Sequence, residues 1–279
     1  MKNKSGYFKV LSASFIWGTI GAFARWSEFT PVELSFFRLL TAGLTLSLIL
    51  PREQRLLIFY TKHYLLIFFS GILFALDTLL FFNALHLTTM SNAVLPYNMQ
   101  PVFMAVLTPL FFKEKIKSRY ILSFTFSLAG VGILLIPSIV NLSHTDAAGI
   151  GCALAGAFFL SIIALIAKFL NIQSITFVYY KMIIATLCLL PFIRMKSTLT
   201  LHSLVIIFVL GLVHTALAYI LYYDGLKTVK IQHVVALTYF IPVVAALTGL
   251  FLFHEAVTVY IIFGGLLIVV NGIAVLFKN

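Results

Sequence analysis

The feature that most constrains this chain is the recurrence of long apolar windows. A helix needs about 20 apolar residues to cross a hydrocarbon core of about 30 Å. Windows of that length fall at 7–25, 31–50, 64–86, 91–112, 118–137, 148–168, 173–193, 203–225, 231–253 and 257–277. Short turns separate them, such as the few residues from His254 to Val257, and none is long enough to fold alone. The pattern predicts an all-α membrane protein with ten transmembrane helices. Composition agrees, since Asp, Glu, Lys and Arg make up 10% of the 279 residues, against about 25% in soluble domains. Lys2, Lys4 and Lys9 precede an apolar run to Ala22-Phe23-Ala24 that imitates a secretory signal. A counterpart of that run in the second half marks it as a retained helix.

Loop charge sets the expected orientation. Ten spans return both termini to one side. That side carries fourteen basic residues, in clusters such as Lys113, Lys115, Lys117 and Arg119; the other carries Arg25, Arg194 and Lys196. Lys and Arg collect in cytoplasmic loops, so both termini are expected in the cytoplasm. A multi-pass protein of a bacterial inner (plasma) membrane follows. The same bias accounts for the net charge of +11 without nucleic acid as a partner. Cys152 and Cys188 both lie in apolar runs, which points away from a disulfide framework or a zinc site.

The chain also repeats itself. Phe82-Asn83-Ala84-Leu85 returns as Tyr223-Asp224-Gly225-Leu226, at an offset of 141. Pro101 precedes Glu114 by the same thirteen residues that separate Pro242 from Glu255, again at 141. Phe36-Phe37-Arg38-Leu39 corresponds to Tyr179-Tyr180-Lys181-Met182, at an offset of 143. Each half carries five spans, so residues 1–140 and 147–279 are expected to insert with opposite orientation. Inverted repeats of this kind mark alternating-access carriers that hold substrate near the midplane, between the halves.

These residues carry a family resemblance. Trp17-Gly18, Phe36-Phe37-Arg38, Asn83-Ala84-Leu85, Pro101 and Glu114, with Lys181, Gly225-Leu226, Pro242 and Glu255 in the second half, resemble the drug/metabolite transporter superfamily, EamA type. The resemblance runs from about residue 8 to 277. It implies a bundle in which helices 1–4 and 6–9 enclose a central cavity, with helices 5 and 10 peripheral. It also implies transport of a metabolite, drug, nucleotide sugar or amino acid, without choosing among them.

Asp77 lies near the middle of helix 3. A carboxylate there costs on the order of 2.5–3.5 kcal/mol to insert, so it is expected to face a cavity or a partner. It could couple protons, anchor an amino group of the substrate, or hydrogen-bond a neighbouring helix as a neutral acid. His214 lies at the midpoint of helix 8, where the repeat sets it opposite Phe74. An Asp77–His214 couple would bind and release a proton near neutral pH; a histidine packed on a hydroxyl or carbonyl is the alternative. Arg38 and Lys181 sit seven and eight residues past the start of their windows, about 10–12 Å deep. They either draw in a carboxylate or phosphate as each gate opens, or serve structure. Glu114 and Glu255 close their spans as candidate gating charges.

Trp17, Phe81, Tyr97, Tyr219, Tyr222 and Tyr239, with Asn98 and Gln100, lie in helices expected to line the cavity. Aromatic walls suit planar or cationic ligands. Pro96 and Pro101 leave backbone carbonyls unpaired, which is tolerated where they line a cavity or hinge; Pro242 repeats the second. Small residues at Ser14, Gly18 and Ala22, and at Gly151 and Ala155, suggest close helix approach on helices 1 and 6. Enzyme motifs are missing: His254-Glu255 begins a zincin motif, but Thr258 replaces its second histidine. No cofactor is expected. The sequence therefore reads as a secondary transporter of a small polar metabolite, an amino acid or amine-bearing compound first, with protons as candidate coupling ion. A nucleotide-like cargo such as S-adenosylmethionine is the alternative, and a non-transporting receptor or assembly subunit the rival of another class.

Overall fold

A computed structural model describes residues 4–56, 63–88, 90–112 and 144–254, with short stretches within 125–136 and 259–270. Glu114, Glu255 and most of the windows at 118–137 and 257–277 lie outside the described residues. Those described form helices and connecting turns, with no strand among them. Seven helical stretches are long and apolar enough to span a membrane: Lys4–Trp26, Pro31–Ile49, Tyr64–Leu87, Thr145–Leu170, Ser174–Phe192, Leu201–Thr228 and His233–Phe253. Their outward faces are unsuited to water, with Leu48 87% and Phe251 71% exposed, as a lipid-facing surface requires.

Several spans are broken. The first divides at Thr19 into α1 (Lys4–Gly18) and α2 (Ile20–Trp26). The second, α3 (Pro31–Ile49), begins at an N-cap on Thr30, whose backbone N–H donates to Glu33 at 2.9 Å; such capping boxes satisfy otherwise orphaned helix-end donors. A short α4 (Arg52–Arg55) leads towards α5 (Tyr64–Leu87), which is unbroken. Beyond it, α6 (Met90–Tyr97) and α7 (Gln100–Phe112) form one interrupted span, turning at Asn98 and Met99. Pro101 has no N–H to return to Tyr97, so the helix cannot run through.

The second half opens with α8 (His144–Leu170) and α9 (Ser174–Leu189), both regular. The next span comprises α10 (Leu201–Val209), a π-helical segment at Leu210–Leu217, and α11 (Ala218–Thr228). The last described span divides at Tyr239 into α12 (Ile231–Thr238) and α13 (Phe240–Phe253). Pro242 stands three residues after that break, as Pro101 stands three after Asn98. Both interrupted spans therefore break at the same point of the sequence repeat.

The two halves interleave. The α5 helix packs mainly on α8 and α9, while α1 packs on α11 and α13, and α3 on α9 and the π segment. Glycines permit the closest approaches. A Cβ on Gly71 would stand 2.5 Å from Ile184 Cβ, and one on Gly211 would stand 2.6 Å from Thr41 Cβ and 2.9 Å from the Arg38 carbonyl. Gly18 likewise meets Val244, as the small-residue pattern of helix 1 suggested. On helix 6 the pattern needs correcting. Among the described residues Gly151 meets nothing, and it is Gly156 that approaches Asp77 and Tyr97. Hydropathy does not fix a helix's rotation, and the close approach on this helix falls at Gly156 instead of Gly151.

Candidate functional site

The broken helices meet around a cavity of about 50 Å³, room for a few water molecules. Trp17, Phe81, Tyr97 and Tyr219 form its aromatic wall, and Arg38, Thr78, Asn98 and Gln100 supply polar groups. Ile20, Val94, Leu160 and Ile241 complete it. Most of the residues anticipated for the site thus converge. Tyr222 stands behind the wall, bonded to Gln100 Nε2 at 3.3 Å and tilted against Trp17 with ring centroids 5.2 Å apart. Tyr239 is buried at the break between α12 and α13 rather than on the lining.

Asp77 is 1% exposed, and its Oδ1 accepts a hydrogen bond from the Tyr97 hydroxyl at 2.8 Å. Gly156 lets the backbone of α8 close over it. The carboxylate is therefore covered by the very tyrosine that lines the cavity. The anticipated contact with His214 is not made. His214 Nε2 pairs with the Thr19 hydroxyl at 2.9 Å, its Nδ1 lies 3.4 Å from the Val209 carbonyl, and its ring packs on Phe23.

The π segment explains the position of His214. Wider hydrogen-bond spacing leaves backbone groups to be satisfied from outside the helix. The His214 carbonyl accepts from the Trp17 indole N–H at 3.1 Å. Thr19, at the break in the first span, donates to the Ile16 carbonyl while holding His214. Two irregular helices are thus clasped to each other at the edge of the cavity. Sequence reasoning missed Thr19, because a lone threonine in an apolar run carries no signal.

The two cations occupy unlike settings. Lys181 is fully buried; its Nζ bonds the Tyr223 hydroxyl at 3.0 Å and lies 3.8 Å and 3.5 Å from the ring centres of Phe74 and Tyr219. Arg38 is 3% exposed and lines the cavity; its Nη2 donates to Thr78 and its guanidinium lies 4.9 Å from the centre of the Phe82 ring. Phe82 also walls a second cavity of about 200 Å³, lined by Arg25, Ser27, Pro31 and His86 near the turn at 27–30. Arg38 and Phe82 therefore stand between that vestibule and the central cavity.

Each end of the bundle is tied across the halves. Glu33, fully buried, accepts from Ser197 N at 3.1 Å, Ser197 Oγ at 2.7 Å and the backbone N–H of Lys196, besides its bonds to Thr30. The Thr30-x-x-Glu33 spacing could have flagged this residue. At the other end Lys9 pairs with Asp224 at 2.8 Å, and Gln54 accepts from Thr176 and Tyr180. Among the described residues no cluster of ligating side chains could hold a metal ion.

Comparison with known proteins gives this geometry a context. The sequence pattern of the EamA-like transporter family matches residues 4–136 and 147–277. The chain is 23% identical over 251 residues to the uncharacterized transporter YxxF of Bacillus subtilis (strain 168), covering 88% of this chain and 81% of that one. It is 29% identical over 257 residues to the uncharacterized transporter YwfM of the same strain, covering 88% and 85%. An uncharacterized transporter of Helicobacter pylori (strain J99 / ATCC 700824) matches half the chain at 28% identity, over 48% of its own length. A protein crystal structure superposes over the full length of both chains with a TM-score of 0.79 at 17% identity, which shows a shared fold.

Proposed function

The chain belongs to the EamA-like transporter family of the drug/metabolite transporter superfamily, and we propose that it is a secondary transporter that moves a small polar metabolite by alternating access. It is a multi-pass membrane protein. In the proposed arrangement ten spans form two inverted five-helix halves, residues 1–140 and 147–279, with both termini on the cytoplasmic side of a bacterial inner membrane.

One observation carries the reading: a cavity with a few polar groups, deep in an apolar bundle and walled by both halves near the points where their helices break. Unpaired backbone is tolerated in a membrane only where it is buried in protein or lines a cavity. The reciprocal packing of α5 on α8 and α9, and of α11 and the π segment on α1 and α3, is what a pair of inverted repeats would produce. At about 50 Å³ the cavity is too small for a metabolite, so the halves must part to load it. The vestibule beyond Phe82 offers one approach. Tyr219 joins the cavity wall to the aromatic layer of Phe74 and Tyr223 around Lys181.

Amino acids and related compounds are the leading cargo, and the aromatic wall of Trp17 and Tyr219 favours a nucleotide-like cargo such as S-adenosylmethionine as the second. Uptake into proteoliposomes under a proton gradient tests the first, and counterflow with labelled adenine compounds the second. Purified protein that moves neither class would overturn these cargo assignments, and one that moves no small metabolite under any gradient would overturn the transporter reading.

A further inference from the structure

We propose that Arg38 is the recognition site for a carboxylate on the transported substrate, so that the cargo is a small carboxylate-bearing compound with an apolar or planar body. The inference rests on the transporter reading above and narrows its cargo.

Arg38 is a charge placed where charge is costly. A guanidinium carries five N–H donors and stays protonated, and in membrane interiors such groups pair with partners or mark substrate paths. Arg38 is 3% exposed, yet the hydrogen bond it makes goes to a neutral group, the Thr78 hydroxyl. Its buried Nε has no hydrogen-bond partner. The guanidinium borders the cavity, so the missing acceptor has space to arrive.

Asp77 offsets part of this charge through space, but the hydrogen bonds of the nearby carboxylates go elsewhere. Asp77 is held by Tyr97, and Glu33 is engaged by Thr30, Lys196 and Ser197 at the helix end. Arg38 and Lys181 thus leave formal positive charge in the interior beyond what Asp77 offsets, and a bound anion would balance it. Two oxygens match the guanidinium fork in a bidentate pair. A phosphate dianion would bring further oxygens to a wall that offers mainly Trp17, Phe81, Val94 and Leu160. A carboxylate on an apolar body fits that contrast between one charged end and greasy walls.

The test compares matched probes on the full chain in nanodiscs: 3-phenylpropanoate, its amide, phenethylamine and phenyl phosphate. The acid is expected to raise the thermal midpoint and to bind about tenfold to a hundredfold tighter than the amide, the range a charge-assisted hydrogen-bond pair produces. Arg38→Gln is expected to erase that preference and Arg38→Lys to retain part of it. The acid–amide comparison on the unaltered protein needs no variant to fold. Equal binding of acid and amide, including none of either, overturns the proposal. So does an acid preference that survives Arg38→Gln, or tighter binding of phenethylamine or phenyl phosphate. Flux in proteoliposomes separates the two readings. Movement of an uncharged or cationic cargo indifferent to Arg38→Gln overturns the carboxylate assignment alone. Acid-selective binding with no flux of any probe overturns transport alone.

Discussion

Arg38 and Lys181 hold corresponding positions in the two halves of the repeat, and the protein treats them differently. Lys181 is enclosed by Phe74, Tyr219 and Tyr223, with its ammonium bonded to a tyrosine hydroxyl. Desolvated cation–π contacts are worth about 2 kcal/mol or more, so that charge is satisfied by the protein itself. Arg38 lies over Phe82, donates to Thr78 and borders the cavity with its Nε unpaired. Equal positions in a repeat therefore do not imply equal tasks: one cation completes a closed aromatic layer, and the other waits for a partner.

The largest expected effect separates these roles directly. Arg38→Met should weaken binding of 3-phenylpropanoate about a hundredfold, within the range for truncating one partner of a buried charge pair. Lys181→Met should change that affinity by less than about threefold. Its stability should also move little, since replacing a buried charge with an apolar group of similar volume is often neutral. Isothermal titration together with thermal midpoints checks both. If Lys181→Met costs the ligand as much as Arg38→Met, the contrast between the two sites is gone.

A second asymmetry lies in the helices that carry these neighbourhoods. Gly71 meets Ile184 in the first helix pair and Gly211 meets Thr41 in the second. Ile184 and Thr41 differ by the 143-residue offset, but the glycines differ by 140, whereas the later segments at Phe82 and Tyr223 differ by 141. One additional residue has entered between Gly211 and Tyr223, and the π segment at Leu210–Leu217 absorbs it. Deleting Val213 should make that span regular like α5 and detach His214 from Thr19 and Trp17. The expected cost is about 2–3 kcal/mol for the lost hydrogen bonds, read as a lowered unfolding midpoint and a shifted tryptophan emission. Unchanged emission would show that the extra residue is not what holds the clasp.

The glycine pair sharpens the comparison at smaller cost. Gly71→Val and Gly211→Val should each destabilise by about 1–3 kcal/mol through overpacking. Gly211 should stand at the upper end, because its new side chain meets the Arg38 backbone carbonyl rather than a side chain alone. Only Gly211→Val should also reduce ligand affinity, because it displaces the turn that bears Arg38. Equal effects of both variants on binding would place Arg38 outside the site.

What the sequence disclosed follows from what sequence encodes locally. Apolar length marked the seven spans described, Pro101 and Pro242 pointed to irregular backbone close to the breaks at Asn98 and Tyr239, and aromatic placement brought Trp17, Phe81, Tyr97 and Tyr219 to one cavity. The partners of Asp77 and His214 were not legible. Which side chain a helix offers to which neighbour depends on its rotation, and one residue of π bulge turns the face by about 100°. That turn is enough to send His214 to Thr19 instead of Asp77. Glu33 was legible in principle as a capping residue, but its bonds to Lys196 and Ser197 bridge 163 residues or more of chain, and no local pattern reports them.

The smallest effect bears on whether Asp77 and His214 act together at all. Asp77 is bonded by Tyr97 and His214 by Thr19, with no shared hydrogen-bond partner. Sites without shared partners are additive within about 0.3–0.5 kcal/mol. Asp77→Asn and His214→Ala should therefore combine with an interaction energy below about 0.5 kcal/mol in a double-mutant cycle on ligand affinity. The cycle should be run on both sides of the pH at which histidine ordinarily titrates. An interaction energy above about 1 kcal/mol that disappears once the histidine is charged would show a proton couple formed in another state of the transport cycle. The two halves would then be joined through a pair that this closed arrangement keeps apart.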